Sequence, residues 1–165
     1  MSLLSFCQWL QSTSGSGALQ QSIYTYPIVE TVHVLALCLF LGFAVLMDLR
    51  LLGVTLRRRA VSEIVERLVP WIVAGFVLMV ISGVLLFYSD PVKFYQNIFF
   101  RVKSVMLILT GLNVWVFHSR TFRRVAQWDR ALVTPVAAKV AGAVSLVLWT
   151  GIVVTGRLIA YNWFK

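Results

Sequence analysis

Acidic side chains are scarce in this sequence. Six Asp and Glu stand against fifteen Lys and Arg, and charged residues make up only 13% of the 165 positions. A water-soluble domain carries about a quarter, so a solvated globular surface is excluded for most of the chain. Cysteine is equally thin. Only Cys7 and Cys38 occur, with no C-x-x-C and no Cys/His cluster, which leaves zinc, iron–sulfur and covalently attached haem without ligands. Histidine occurs twice, as His33 and His118. There is no G-x-S-x-G, no P-loop and no H-E-x-x-H, so the common hydrolase, phosphate and zinc-protease sites are missing. The first residues lack a basic stretch with a cleavage site behind it, and no signal peptide is expected.

What is abundant is apolar. Hydrophobic residues reach 59% and the mean hydropathy is +0.85, which predicts a single-domain integral membrane protein surrounded by lipid. The net charge of +9 would suggest nucleic acid in a soluble protein. Here the positive residues fall between apolar runs, where the positive-inside rule expects them, and no nucleic-acid partner is expected.

Spacing of the apolar runs predicts an all-α, four-helix transmembrane bundle with a short N-terminal interfacial helix. Residues 1–26 read as an interfacial segment and linker, and residues 27–165 as the bundle. Met1 to Leu10 is too short to cross a core that needs about twenty residues; it suits the membrane surface, with Trp9 at the headgroups. Ser12 to Gly17 reads as a flexible Ser/Gly linker. The spans fall at about 27–52, 68–88, 98–118 and 135–161, judged by roughly twenty apolar residues each. Pro27 and Pro135 suit first helical turns, Pro70 lies near the start of span 2, and Asp90-Pro91 ends it. Val61 to Leu68 reads as a separate amphipathic helix on the inner surface, and Thr134 as a cap for span 4. Gly142, Ala143, Ser145, Gly151 and Gly156 give span 4 a small-residue surface. It suits close packing within the bundle, against a second copy, or against other membrane subunits.

Ten of the fifteen basic residues lie on one side: Arg50, Arg57, Arg58, Arg59, Arg67, Arg120, Arg123, Arg124, Arg130 and Lys139. That asymmetry predicts both Arg-rich loops in the cytoplasm and both termini outside. Ionisable residues within a span are costly and usually have a partner or a task. Glu30 and His33 are three residues apart and share a helix face. By helical rise, His33 lies roughly 9 Å into span 1, in the outer leaflet. Lys103, early in span 3, and Arg157, late in span 4, fall in the same layer, so Glu30, His33, Lys103 and Arg157 are candidates for one outward polar pocket. Met47 and Asp48 lie within about 60° of His33, and Lys103, Met106, Thr110 and His118 are likewise aligned on span 3. Asp48 is placed to pair with His118 or Arg120 at the inner boundary.

Two histidines suggest a haem held between them. His33 and His118, however, are separated by roughly 15–20 Å along the membrane normal, and two axial ligands must face one ring from either side. The second ligand to a haem on His33 is therefore Met106 or Lys103, or the iron is five-coordinate. Arg101, Lys103 and Arg157 are candidates for propionates. Against this stand a structural histidine bonded to a carbonyl or to Glu30, and a copper or proton pathway along Glu30, His33, Met47 and Asp48. The stripe has no clustering of Met or Cys, which ranks copper last.

The run Glu30-Thr31-Val32-His33 through Gly42 to Met47-Asp48-Leu49-Arg50, with Phe100-Arg101-Val102-Lys103 opening span 3, resembles an uncharacterised family of small bacterial inner-membrane proteins. More distantly it is similar to the HemJ-like protoporphyrinogen oxidases and the CopD-like copper-resistance membrane domains. Both have a histidine early in a span, a glycine about nine residues later and an arginine near its inner end, and the first also has a lysine opening its third span. His33, Gly42, Arg50 and Lys103 match. The resemblance implies haem b on His33, for electron transfer or porphyrin-type oxidation with a redox partner, in a bacterial inner membrane. The further metal-binding residues of the CopD-like pattern are missing.

Overall fold

The computed structural model describes residues 2–129, 131 and 134–161. Among them, four helices are long and apolar enough to cross a membrane. They are α3 (Thr25–Leu52), α4 (Val61–Ser89), α6 (Ile98–Val116) and α7 (Val136–Leu158). Short helices α1 (Leu3–Gln11) and α2 (Ser14–Gln21) precede them, and α5 (Pro91–Gln96) links α4 to α6. Beyond α6 the chain continues as a π-helical turn, Phe117–Thr121, and a 3₁₀ segment, Phe122–Gln127.

Local chemistry sets the helix ends. Gly53 closes α3 in the left-handed region (φ 75°), with its N–H on Arg50 O and the Val54 N–H on Leu49 O, a conformation that favours glycine. Asp90 Oδ1 accepts from Lys93 N at 3.3 Å and Pro91 fills the first turn of α5. Asn97 Oδ1 accepts from Phe99 N at 2.9 Å and from Phe100 N at 3.4 Å to start α6.

Three sequence expectations change. The Ser/Gly linker is helical over Ser14–Gln21, because Ser16 Oγ donates to Tyr88 O (2.8 Å) and Thr13 Oγ1 bonds Tyr88 Oη (2.7 Å), docking it on the end of α4. The separate surface helix over Val61 to Leu68 is the first part of α4 itself, and Pro70 lies inside that helix, where its missing N–H removes one backbone bond. Thr134 does not cap α7, whose preceding residue is Pro135; its hydroxyl accepts from Arg50 Nη1 instead.

α3 packs on both α4 and α7, and α7 packs on α6. The helices therefore run in the order α4–α3–α7–α6. Among the described residues α4 and α6 make no extended contact. They meet where Phe87 stacks on Phe100, with centroids 5.4 Å apart, and Phe94 joins both rings. Inward of that cluster the two helices share no extended seam, so this side of the bundle is the least closed by helix–helix contact. The core behind it comprises Ala36, Phe40, Met79, Trp149 and Ile152, with Met106 against it. Phe40 and Trp149 pack edge-on at 4.6 Å, a geometry worth about 0.5–1.5 kcal/mol beyond area burial. Small residues allow these approaches: a Cβ on Gly75 would lie 3.1 Å from Phe40 N, so α3 and α4 touch backbone to backbone there.

Candidate functional site

His33 lies where α3 crosses α4. Its Nδ1 is 2.9 Å from Ser82 Oγ. Ser82 directs its own hydroxyl proton at Leu78 O, 2.7 Å away and one turn back on α4. A hydroxyl has one proton, so towards the imidazole it acts as acceptor. With the Ser82 proton on Leu78 O, Nδ1 is the nitrogen that donates to Ser82, and that tautomer leaves the lone pair on Nε2. The Met79 carbonyl also faces the ring. Gly83 forms the floor of the position: a Cβ there would stand 3.2 Å from His33 Cε1. Ser82 is buried and His33 is half-buried.

Lys103 and Met106 repeat this arrangement on the other side. Both sit on the face of α6 turned to α7, and each is seated on a glycine. A Cβ on Gly156 would meet Lys103 Nζ at 3.3 Å, and one on Gly151 would meet Met106 Sδ at 2.7 Å. Two further turns along the same face, Asn113 Nδ2 donates to Ala141 O at 2.9 Å. The Lys103 ammonium stands near enough to His33 for its charge to act on the imidazole. The structure thus brings His33 and Lys103 into one layer beside the α4/α6 side, with Met106 one turn deeper in the core.

The remaining expected residues stand apart. Glu30 is exposed and in neither ion pair formed among the described residues, although its charge, like that of Lys103, acts on His33. Arg157 is exposed; it donates to Tyr161 Oη at 3.3 Å and lies over that ring at 5.4 Å. His118, at the opposite end of α6, is exposed and stacked on Phe122 at 4.8 Å. Asp48 pairs with neither His118 nor Arg120: it is turned to α7, against Ser145.

Sequence reasoning did not join Ser82 and Gly83 to His33. It also missed the architecture at the Arg-rich end. Arg50 is 1% exposed. Its Nε and Nη2 donate to Arg59 O at 3.2 and 2.9 Å, and its Nη1 to Thr134 Oγ1 at 3.4 Å. Asp129, on the other loop, accepts from Ser62 N (2.7 Å) and Ser62 Oγ (2.6 Å) at the start of α4. The isolated acid in an Arg-rich loop was the available signal.

Among the described residues no three His, Cys, Asp or Glu side chains converge, so a metal held wholly by such ligands has no site there. A haem needs less from the protein: one imidazole lone pair, a cationic group for its propionates and apolar walls. His33 and Lys103 would supply the first two of these. Two recesses lie elsewhere. One, between α3 and α7, is lined by Leu41, Val45 and Trp149 among others, and the other by Gln20, Tyr26, Asp90 and Lys93.

A family described as "Family of unknown function (DUF6644)" matches residues 6–162. No curated protein and no solved structure matches the chain.

Proposed function

The chain belongs to the DUF6644 family, and for this member we propose a multi-pass membrane protein that binds haem b on His33, beside the α4/α6 side, for electron transfer or porphyrin-type oxidation. The observation that carries this reading is the His33–Ser82 bond. A ligating histidine characteristically donates its other ring N–H to an outer partner, which fixes the tautomer and aims the free nitrogen. Ser82 is that partner, and it is anchored in turn to Leu78 O. The haem supplies one-electron chemistry at its iron. The chain's own residues aim the ligand and place the Lys103 charge beside it. Met106 and Lys103 are the candidate second ligands. We place the Arg-rich loops in the cytoplasm of a bacterial cell and the termini outside.

Detergent-purified protein from iron-replete cells is the test. A Soret band, a reduced-minus-oxidised difference spectrum and stoichiometric iron are expected in the wild type, with all three lost in His33→Ala. A colourless, iron-free wild type rejects the reading.

A second reading has its own observation. His33 is packed closely on Gly83, and α6 is covered on one face only. A cofactor-free subunit whose α4/α6 side receives a helix of a larger membrane complex accounts for both. It predicts colourless protein with partner subunits held through mild-detergent purification.

A further inference from the structure

Asp48 is a carboxylate inside a membrane-spanning helix and is 7% exposed. Its Oδ2 is sealed from solvent and has no hydrogen-bond partner among the described residues. The reason it is so enclosed is the approach of α7. A Cβ on Gly142 would meet Asp48 O at 3.0 Å and Leu51 Cβ at 3.3 Å, so the two backbones are in contact. Ser145, one turn along α7 and itself buried, is the polar neighbour.

Among the described residues no cation forms an ion pair with this carboxylate. Arg50, two residues on, is committed to Arg59 O and Thr134. On α7 Lys139 is half-buried, and beyond α6 His118 stacks on Phe122. On α4 Glu63 is held by Arg59 and Arg67 at 3.2 Å each, and Glu66 is exposed. Asp129 is bound to Ser62. An ionised carboxylate without a counter-charge is among the costliest groups to bury. The neutral acid is the form that such surroundings accept.

A second orphan lies towards the Arg-rich end. Thr55 Oγ1, just past α3, is the other sealed polar atom without a partner among the described residues. Asp48 is only four residues, or about 6 Å, from the end of its helix. Unpaired buried polar atoms are where internal water is held, and these two both lie towards the Arg-rich end of α3.

We propose that Asp48 is an intramembrane proton-binding site, its carboxyl holding a proton on Oδ2 and exchanging it with water at the Arg-rich end past Thr55. The step is a proton transfer from a water chain to a carboxylate oxygen; no other bond changes. The site is separate from His33 and stands whether or not haem is bound.

Dicyclohexylcarbodiimide, an apolar reagent, tests it on the intact wild-type protein in lipid nanodiscs. A protonated carboxyl adds across one C=N bond, oxygen to carbon and proton to nitrogen, and rearranges to a stable N-acylurea. One adduct mapped by mass spectrometry to the Asp48 peptide is expected, and none there in Asp48→Asn. Infrared spectra of the same samples should show a protonated-carboxyl C=O band that shifts in D₂O and is lost in Asp48→Asn. An unlabelled Asp48, or a band that stays unshifted in D₂O, overturns the proposal. Loss of labelling in sodium or lithium salt assigns the site to a metal cation and overturns it too. Should Asp48→Asn fail to fold, wild-type labelling and the D₂O shift decide alone.

Discussion

Ser82 Oγ stands 2.9 Å from His33 Nδ1 and 2.7 Å from Leu78 O, so with its proton on Leu78 O this hydroxyl on α4 favours the tautomer whose lone pair is on Nε2. Removing it in Ser82→Ala should leave the helices intact while freeing the ring to change tautomer. Loss of such an outer partner typically weakens metal binding about 10–100-fold. Titration of haem into the apoprotein is the measurement, with Ser82→Thr restoring affinity because it restores the acceptor. Equal affinity in wild type and Ser82→Ala would remove Ser82 from the site.

Glycines along α3 and α4 should differ sharply in their tolerance of a methyl group. At Gly75 the added Cβ meets Phe40 Cβ, N and Cα at 3.1–3.2 Å; backbone cannot yield as a side chain can, and overpacking of this kind costs about 1–3 kcal/mol. At Gly83 it meets only the His33 ring at 3.2 Å, so Gly83→Ala should keep the fold and disturb the imidazole. Gly42 has nothing within 4 Å, and Gly42→Ala should be neutral or gain up to about 1 kcal/mol from helix propensity. Thermal unfolding in detergent ranks the three; Gly75→Ala as stable as Gly42→Ala would contradict the α3/α4 contact.

How much of this was legible beforehand depends on the kind of information a residue carries. Apolar run length sufficed for four spans, since nothing else buries such surface. Depth along a helix was legible too, which put His33 and Lys103 in one layer. Which helix neighbours which was not. Four apolar helices have no polar pattern that distinguishes α4–α3–α7–α6 from another order, so Asp48 was matched with His118 or Arg120 when it faces Ser145. Glu30 shares a face with His33 by spacing, yet it is exposed, because a shared helix face does not ensure a packed partner at both positions. The loops were least legible: the Arg50 and Asp129 contacts span 84 and 67 residues of sequence.

Arg50 is the structural tie of the Arg-rich end. Its guanidinium joins the α3–α4 loop at Arg59 O to the segment before α7 at Thr134. Arg50→Ala strands both acceptors. Hydrogen bonds to a charged group contribute about 1.5–3 kcal/mol each, so the variant should fall by several kcal/mol or fail to accumulate. Arg50→Lys should recover only part, since an ammonium cannot reproduce the planar fork. Limited trypsin digestion of membranes should cut the inner loops faster in both variants; unchanged cleavage would show that Arg50 is not the tie.

Asp129 acts on α4 from outside that helix. Its carboxylate accepts Ser62 N at 2.7 Å, serving as an N-cap supplied by a distant loop. Asp129→Ala should cost about 1 kcal/mol, the usual worth of a capping side chain, and Asp129→Asn less, because an amide oxygen still accepts. Amide hydrogen exchange over residues 61–65 would report it, with faster exchange confined to that end of α4. Uniform protection across α4 in Asp129→Ala would refute the cap.

Lys103 and Met106 occupy like seats on α7 but should respond differently. Met106 Sδ is pressed on Gly151, in contact with the core, whereas Lys103 places an ammonium on Gly156 and a charge beside His33. Met106→Leu keeps volume and should cost less than about 1.5 kcal/mol. If the thioether is the second axial ligand, the reduced spectrum and the midpoint potential change in this variant while haem is retained. Lys103→Met keeps an unbranched side chain one atom shorter and removes the charge. It should hold the fold and weaken haem binding, because the propionates lose a cationic partner; a porphyrin esterified at its propionates should bind wild type and Lys103→Met alike. Discrimination between the free acid and the ester that persists in Lys103→Met would place the propionates on another residue, with Arg101 the next to test.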